Sequence, residues 1–221
     1  MTCTLYRADV AATLAREHAA ARRQREERMA SAEAGAPPVS ARDFRTSEIH
    51  RTSYLSIGPR QGSFLYGAAR ASGARTIVEF GSSFGISTIY LAAAACDNAG
   101  TVTGSEFHPE KVEKAGRNLA DAGLASVATI RGGDARETLS DIEGPIDLLF
   151  LDGAKELYLP MLSMLEDRLK PGALVIADNA DMLTEEEEGG FLHHVGAERQ
   201  RYVTALIGFH KGLMSHSLFL G

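Results

Sequence analysis

The sequence contains no tryptophan and only two cysteines, Cys3 and Cys96, among 221 residues. Two cysteines this far apart form neither a metal-binding spacing nor a disulfide framework, which favours a reducing compartment. No apolar run approaches the roughly 18 residues needed to span a bilayer, and the first residues lack the apolar core of a signal peptide. We therefore expect a cytoplasmic protein with no membrane partner.

Basic residues are in the minority. The chain has 23 Lys and Arg against 29 Asp and Glu, for a net charge of -6. A general nucleic-acid binder presents a basic field, so this balance argues against that class and we expect no nucleic-acid partner. Hydrophobic residues make up 44% of the chain, which is enough for the core of one α/β domain with an appendage.

The first part of the chain has the composition of helices. Residues 8–34 are rich in Ala, Arg and Glu and lack Pro and Gly, which predicts a long helix. After a break at residues 35–38, a second helix is predicted over residues 41–54. A third is predicted from Pro59 to Gly73, because proline suits the first helical position. We assign residues 1–55 to an N-terminal helical segment and residues 56–221 to the main domain.

From Thr76 onward, strand-like and helix-like segments alternate. The predicted strands are Thr76–Phe80, Thr101–Glu106, Val127–Arg131, Ile146–Leu151 and Ala173–Ala177, and the predicted helices are Ile86–Cys96, Pro109–Ala122, Ala135–Leu139 and Leu157–Leu169. This alternation predicts an α/β fold with a Rossmann-like, mostly parallel sheet and helices on both faces. Two final runs, Tyr202–Ile207 and Leu213–Leu218, are separated by five residues. That spacing suits an antiparallel C-terminal hairpin at the edge of a seven-stranded sheet.

Two of the predicted strands end in an acid. One runs into Asp152, with Lys155 three residues later, and the other runs into Asp178 and Asn179. If the two strands are parallel neighbours, these side chains meet at the edge where open α/β sheets bind ligands. Carboxylate and amide oxygens suit a hard divalent cation such as Mg²⁺. Lys155 then lies where it can supply a base beside that ion.

Three other strand ends describe a nucleoside site. The first strand leads into a Glu-x-Gly-x-x-x-Gly pattern at residues 79–85, which differs from the Gly-x-Gly-x-x-Gly of dinucleotide-binding proteins. Glu106 ends the second strand, where an acid can accept hydrogen bonds from ribose hydroxyls. Asp134 follows the third strand, where it can lie beside an adenine or cap a helix. Together these ends predict a nucleoside bound without a pyrophosphate.

These segments carry a family resemblance. Val-Glu-Phe-Gly-Ser-Ser-Phe-Gly, Gly-Ser-Glu-Phe-His-Pro-Glu and Leu-Lys-Pro-Gly-Ala-Leu-Val-Ile-Ala-Asp-Asn resemble class I S-adenosylmethionine-dependent methyltransferases. Leu-Asp-Gly-Ala-Lys together with Ala-Asp-Asn is similar to the cation-dependent O-methyltransferases, the group of catechol O-methyltransferase and caffeoyl-coenzyme A O-methyltransferase. The likeness covers residues 54–221.

The resemblance implies a Mg²⁺-dependent methyl transfer from S-adenosylmethionine to one hydroxyl of a catechol-type substrate, a vicinal aryl diol such as a natural-product or phenylpropanoid intermediate. It implies Lys155 as the catalytic base. It implies that the ligands of Mg²⁺, or of another divalent cation such as Mn²⁺ or Ca²⁺, are Asp152, Asp178 and Asn179. The cofactor contacts that it implies are Ile57, Glu79, Gly81, Ser83, Ser87, Glu106, Asp134, Ala135 and Asp152. It implies dimers in the bacterial and plant branch of the family and monomers in the animal branch, and our hypothesis is a homodimer in which the N-terminal segment helps to shape the substrate pocket.

Three alternatives stay open from the sequence alone. A nicotinamide-dependent dehydrogenase has a similar fold, a methyltransferase of this fold can act on RNA, and a cofactor-binding scaffold can work through its N-terminal helix. The missing Gly-x-Gly-x-x-Gly pattern disfavours the dehydrogenase, the acidic charge disfavours RNA, and the presence of Lys155 disfavours the scaffold.

The chain also departs from the animal catechol enzymes, which surround the aromatic ring with tryptophan and add a third substrate-side acid. With no Trp in the sequence, we expect a roomier pocket. The candidates for the third acid are Glu198 and the run of glutamates at residues 185–188.

Overall fold

The computed structural model of the protein describes residues 3–33, 44–183, 190–197 and 200–221. Its strands are β1 Thr76–Phe80, β2 Thr101–Glu106, β3 Ala128–Gly132, β4 Ile146–Leu151, β5 Leu169–Ala177, β6 Tyr202–Phe209 and β7 Gly212–Phe219. They form one sheet in the order β3-β2-β1-β4-β5-β7-β6. The first five strands pair in parallel, and β7 is antiparallel to both β5 and β6. The predicted mostly parallel sheet with an antiparallel C-terminal edge is confirmed.

The helices of the described residues surround this sheet. They are α1 Ala8–Glu33, α2 Glu48–Thr52, α3 Pro59–Ala71, α4 Ile86–Asp97, α5 Pro109–Asp121, α6 Ala135–Thr138, α7 Tyr158–Leu165 and α8 Phe191–Ala197. Among these helices, none has both the length and the apolar character that a membrane crossing requires.

The core lies in two layers, one on each face of the sheet. Successive residues of a strand point to opposite faces. In β4, Leu148 and Phe150 contribute to the core beneath α3, α4 and α5, whereas Leu149 and Leu151 contribute to the core beneath α7 and α8. All four side chains are fully buried, and each such burial stabilises the fold by about 1.5–3 kcal/mol. Burial on both faces explains why this strand is a continuous apolar run.

Two predicted boundaries in the second half of the chain were wrong. The helix predicted to reach Leu169 ends at Leu165, and Leu169 instead begins β5, where it pairs with Ile146. Leu165 and Leu169 are four residues apart, so they fit a helical period although Leu169 is buried as part of the sheet. The final hairpin has a two-residue turn, His210 and Lys211, because both strands extend further than the five-residue spacing suggested.

The helix predicted over residues 41–54 is much shorter in its described part. α2 begins after Ser47, whose hydroxyl accepts a hydrogen bond from the backbone N–H of His50 at 3.5 Å. It ends at Ser53, which has an extended backbone. Residues 34–43, which include the predicted break at residues 35–38, lie outside the described residues.

The N-terminal segment is docked on its own chain. Thr4 Oγ1 donates to Asp97 Oδ1 at 2.6 Å, and Arg7 Nη2 donates to the carbonyl oxygen of Ala122 at 3.1 Å. Further along α1, Val10 and Leu14 are buried in the core beneath α3, α4 and α5. These contacts fix α1 against α4 and α5, whereas the division of the chain at residue 55 stays a prediction.

Candidate active site

The carboxyl ends of the five parallel strands open into one cavity of about 490 Å³, a volume in the range of small-molecule sites. The predicted site residues that line it are Gly81, Ser83, Glu106, Asp134, Ala135, Asp152, Lys155, Asp178 and Asn179. Ile57, Glu79 and Ser87 are absent from the lining and are buried behind it. The structure thus brings together most of the residues that the sequence singled out.

The turn after β1 is held tightly against its neighbours. Gly81 has a φ of +91°, and a Cβ on it would lie 2.6 Å from the Cα of Gly153 in the loop after β4. The backbone N–H groups of Gly81 and Ser82 both donate to the carbonyl oxygen of Ser105, at 3.0 and 2.9 Å. This close approach requires glycine, and it places the cavity-facing backbone of the turn beside the ends of β2 and β4.

Glu79 supports this turn from below. Its carboxylate accepts hydrogen bonds from the hydroxyls of Ser82, at 2.7 Å, and Thr88. The Ser87 hydroxyl also hydrogen-bonds to this carboxylate, and complete burial raises the pKa of Glu79. The structure therefore places Glu79 and Ser87, both predicted as cofactor contacts, in the support of the turn and not in the cavity wall.

Glu106 is fixed in the cavity wall by two backbone donors. The N–H of Ser83 donates to Oε2 at 2.8 Å, and the N–H of His108 donates to Oε1 at 2.9 Å. Ser83 adopts a positive φ of 48° to do so, which is uncommon for a residue with a side chain. Each carboxylate oxygen keeps a further lone pair, so Glu106 is held in one orientation and can still accept hydrogen bonds from a ribose.

Asp134 caps α6 and also lines the cavity. Its carboxylate accepts hydrogen bonds from the backbone N–H and the guanidinium of Arg136, each at 3.0 Å. Arg136 thereby lowers the pKa of Asp134. The helix-cap alternative drawn from the sequence is confirmed, and an adenine contact at Asp134 and Ala135 stays a prediction.

Asp152 and Asp178 form a pair of buried acids at the ends of β4 and β5. Burial raises the pKa of Asp152, and the neighbouring carboxylates of Asp178 and Glu79 raise it further, against the opposing effect of Lys155. Burial likewise raises the pKa of Asp178, whose Oδ1 accepts a hydrogen bond from Gln61 Nε2 at 2.7 Å. The ionised forms of both carboxyls are therefore disfavoured in this low-dielectric environment unless positive charge lies nearby.

This donor set fits a divalent cation. Two buried carboxylates whose ionised forms repel one another are stabilised when a cation lies between them, and Asn179 adds an amide oxygen nearby. Asn179 has a left-handed backbone with φ of 56°, a strain that is frequent at functional sites. Within the described residues, no group of three or more His, Cys, Asp and Glu side chains is arranged to hold a metal. The metal hypothesis therefore depends on two carboxylates and one amide.

Lys155 lies beside this pair of acids. Its Nζ is 3.7 Å from Asp152 Oδ1 and donates to the hydroxyl of Tyr158 at 2.6 Å. It also donates to the carbonyl oxygen of Gly153 at 3.2 Å. Tyr158 is fully buried, and its hydroxyl donates to the carbonyl oxygen of Asp178 at 3.1 Å. The side-chain nitrogen of Lys155 is thus held at one position on the edge of the cavity.

Several cavity residues were missed by sequence reasoning. They come from the segment before α3 and from the start of α5, and they include Phe44, His50, Phe107, His108 and Lys111. Phe44 and Phe107 meet edge to face at a centroid distance of 5.3 Å. No local sequence pattern predicts these residues, because only tertiary packing brings Phe44 and α2 together with the start of α5 at the cavity. The candidate third acids, Glu198 and residues 185–188, lie outside the described residues.

Comparisons with known proteins identify relatives of this chain. A family model described as a methyltransferase domain matches residues 78–180. A catechol O-methyltransferase of Mycobacterium tuberculosis is 30% identical over 184 residues, which cover 81% of this chain and 80% of that protein. A catechol O-methyltransferase of Niastella koreensis is 35% identical over 129 residues, which cover 57% of this chain and 58% of that protein. Against this second relative, the chain spans less than two thirds of the length.

A solved O-methyltransferase structure is also similar to this chain. The O-methyltransferase TomG from Streptomyces achromogenes, involved in tomaymycin synthesis and crystallised in complex with S-adenosylmethionine, superimposes with a TM-score of 0.65 at 26% identity. The match covers 76% of this chain and 82% of TomG. The chain belongs to the class I S-adenosylmethionine-dependent O-methyltransferases of the catechol and caffeoyl-coenzyme A type. This membership confirms the resemblance seen in the sequence and disfavours the dehydrogenase alternative.

Proposed function

We propose that this protein transfers the methyl group of S-adenosylmethionine to one hydroxyl of a vicinal aryl diol, with a divalent cation at Asp152, Asp178 and Asn179. The observation that carries the proposal is the position of Lys155, whose Nζ lies 3.7 Å from Asp152 at the rim of the same cavity that contains Glu106. A nucleoside site and an acid–lysine cluster in one cavity are what a methyl transfer to an aryl hydroxyl needs.

Each of the proposed site residues has a separate role at the carboxyl edge of the sheet. Glu106 accepts hydrogen bonds from the ribose, and the turn at Gly81 and Ser83 faces the amino-acid part of the cofactor. A bound divalent cation supplies Lewis-acid stabilisation of the anionic acceptor oxygen. This matters because a free phenol has a pKa of about 10 and is a poor nucleophile at neutral pH.

Lys155 is the general base of the proposed reaction. The acceptor hydroxyl gives its proton to the neutral amine of Lys155, which becomes an ammonium, and the acceptor oxygen forms a bond to the methyl carbon as the bond from that carbon to sulfur breaks. The products are a methyl ether and S-adenosylhomocysteine. Hydrogen bonds to Tyr158 and Gly153 restrict Lys155 to one position, which favours the aligned geometry that this displacement requires.

A small-molecule acceptor is favoured over RNA. The cavity is about 490 Å³ and includes the apolar side chains of Phe44, Leu55 and Met182. Apolar lining with few convergent polar groups is typical of small-molecule sites, and the net charge of -6 disfavours a polyanionic acceptor. The predicted homodimer stays a prediction that light scattering can test.

The test is methyl transfer from S-adenosylmethionine to a panel of catechols, with Mg²⁺ and with a chelator. We expect transfer that requires the cation and that is lost in Lys155→Met. Lys170→Met is the matched control, because Lys170 is partly exposed and pairs with Asp147 away from the cavity. Equal turnover with and without the cation would reject the metal role, and full activity in Lys155→Met would reject the base.

A further inference from the structure

Lys111 is a buried lysine in the cavity wall with no anionic partner. It lies in the first turn of α5 and is only 2% exposed. Its Nζ lies 5.2 Å from the centroid of the Phe84 ring. Among the described residues, no hydrogen-bond acceptor or carboxylate oxygen pairs with it directly. Burial lowers the pKa of Lys111, because burying an unpaired ammonium is costly, so an anionic group in the cavity would stabilise its charged form.

Three further polar atoms in the same wall also lack partners. His50 Nδ1, Ser83 Oγ and His108 Nε2 are buried and have no hydrogen bond within the part of the chain that the structure describes. All three residues line the same cavity as Lys111. The charges of Lys111 and His108 both act on His50, so the three basic side chains are neighbours. We call His50, His108 and Lys111 the basic corner.

The unpaired donors and positive charge of the basic corner determine which chemical group it can bind. An ammonium has three donors and no acceptor, and buried polar groups in proteins almost always find partners. A group that satisfies the basic corner must therefore bring acceptor oxygens and negative charge. Of the three parts of S-adenosylmethionine, only the amino-acid end carries an anion, its carboxylate, whereas the adenosine is neutral and the sulfonium is positive.

The position of the basic corner is on the cofactor side of the cavity. The carboxylates that act on Lys111 are those of Glu106 and Asp152. Its ring contact is with Phe84, in the turn after β1 that contains Gly81 and Ser83. The proposed acceptor site, at Asp178 and Lys155, is at the ends of β4 and β5. A ligand that runs from Glu106 across the turn after β1 therefore passes Lys111.

We propose that Lys111, assisted by the basic corner and by Ser83 Oγ, binds the carboxylate of the amino-acid part of the cofactor. This inference deepens the proposed function and rests on its cofactor, but it does not depend on the acceptor or on the cation. Local sequence patterns do not indicate this role, because a lysine in the first turn of a helix is usually at the surface.

The experiment is isothermal calorimetry with two nucleosides. S-adenosylhomocysteine has the carboxylate, and 5′-methylthioadenosine lacks the whole amino-acid end. In Lys111→Met we expect the affinity for S-adenosylhomocysteine to fall by about 10- to 100-fold, the range for one charge-assisted hydrogen bond, and the affinity for 5′-methylthioadenosine to stay within about twofold. Lys111→Arg should recover part of the lost affinity, because it keeps the charge.

Lys114→Met is the matched control. Lys114 is on the same helix and also lies over the Phe84 ring, at 4.8 Å, but it pairs with Glu17 at 3.2 Å and is not in the cavity wall. This variant should leave the ratio of the two affinities unchanged. Equal losses for both nucleosides in Lys111→Met, or no loss for either, would overturn the proposal.

Two further measurements distinguish cofactor binding by Lys111 from a structural role and from binding of the acceptor. If Lys111 had only a structural role, Lys111→Met would lower the midpoint of urea unfolding, whereas we expect that midpoint to stay or rise because an unpaired buried charge is removed. If the corner instead recognised a carboxylate on the acceptor, the variant would raise KM for 3,4-dihydroxybenzoate more than KM for catechol, which would also overturn the assignment. A wild-type protein that binds S-adenosylhomocysteine but methylates no diol would refute the proposed acceptor and leave the role of Lys111 standing.

Discussion

The hydroxyl of Tyr54, in the cavity wall, donates a 2.6 Å hydrogen bond to the carboxylate of Glu17 in the middle of α1. Glu17 is only 2% exposed and also pairs with Lys114 at 3.2 Å. On its other side, the Tyr54 ring lies 4.5 Å from the ring of Phe84 in the turn after β1. One tyrosine thus connects the N-terminal helix to the turn after β1.

Tyr54→Phe tests this connection. The variant keeps the ring but leaves a buried carboxylate with one donor fewer, so we expect a loss of about 1–3 kcal/mol in the free energy of unfolding. Urea unfolding measures it. Tyr6→Phe is the control, because Tyr6 is 81% exposed, and it should change stability by less than about 0.5 kcal/mol. Equal effects in the two variants would contradict a role for the Tyr54 hydroxyl.

Gly81→Ala should disrupt the turn after β1. A Cβ would meet the backbone of Gly153 at 2.6 Å, and the φ of +91° disfavours any side chain. We expect a loss of about 3 kcal/mol or more in unfolding free energy, or a shift of the turn that abolishes cofactor binding. Gly67→Ala in α3 is the opposite case, because nothing lies within 4 Å of the added Cβ; it should stabilise by about 0.5–1 kcal/mol. Thermal unfolding and calorimetry with S-adenosylhomocysteine check both.

Asp152→Asn should stabilise the protein in the absence of divalent cations. Burial, with the charges of Asp178 and Glu79, raises the pKa of Asp152 above its unfolded value, so the ionised side chain costs stability as pH rises through that folded pKa. With chelator at pH 7.5 we expect the variant to be more stable by about 1–3 kcal/mol. The difference should shrink as pH is lowered from 7.5 towards 5, because the raised pKa lets the wild-type carboxyl take up its proton at a higher pH than a free aspartate does. Urea unfolding at the two pH values measures it.

Adding Mg²⁺ should make the wild type more stable than Asp152→Asn. The cation binds the folded wild type and so raises its unfolding free energy, but it should have little effect on Asp152→Asn. Methyl transfer should fall by at least about 100-fold in the variant, beyond the typical loss for an outer-shell partner of a metal. Equal stabilisation of both proteins by Mg²⁺ would show that the cation binds elsewhere.

His18 should make folding sensitive to mild acid. It lies on α1, hydrogen-bonds to the hydroxyl of Tyr90 at 3.1 Å, and has its pKa lowered by burial to about 4. Because the unfolded side chain binds a proton near pH 6.5 and the folded one does not, stability falls as pH drops from about 6.5 towards 4. The half-buried ring is partly screened by solvent, so we expect a loss on the order of 1–2 kcal/mol.

His18→Gln should remove that part of the pH dependence, whereas His210→Gln, at an exposed turn position, should leave it unchanged. Unfolding free energies at pH 7.5 and pH 5 for the three proteins make the comparison. An identical acid loss in wild type and His18→Gln would assign the effect to other groups.

The elements buried on both faces were the ones that the sequence predicted best. The bounds predicted for β1, β2 and β4 match the structure; β4 is the clearest case, because its mostly apolar, fully buried run leads directly into an acid. The same rule located Asp152, Asp178 and Lys155, because the carboxyl ends of neighbouring parallel strands lie together at the ligand-binding edge of the sheet.

Residues whose environment depends on distant segments were not predictable. Lys111 sits in the first turn of α5, a pattern shared with any surface lysine, and it is buried in a wall that also contains residues of α2 and the turn after β1. Tyr54 and Glu17 are 37 positions apart in the chain. Glu79 has the sequence context of a ligand contact, yet its three hydroxyl partners hold it behind the wall. Such placements follow from tertiary packing, which local patterns do not encode.

The C-terminal hairpin has a consequence for how β5 moves. β7 pairs with β5 from Leu174 to Ala177, so the residue before Asp178 is bonded to a strand on either side. Without β7, β5 would be the border of the sheet and its last residues would fray into solvent. With β7 in place, amide hydrogen exchange at Ile176 and Ala177 should proceed only through large-scale opening, so that the position of Asp178 persists between catalytic cycles.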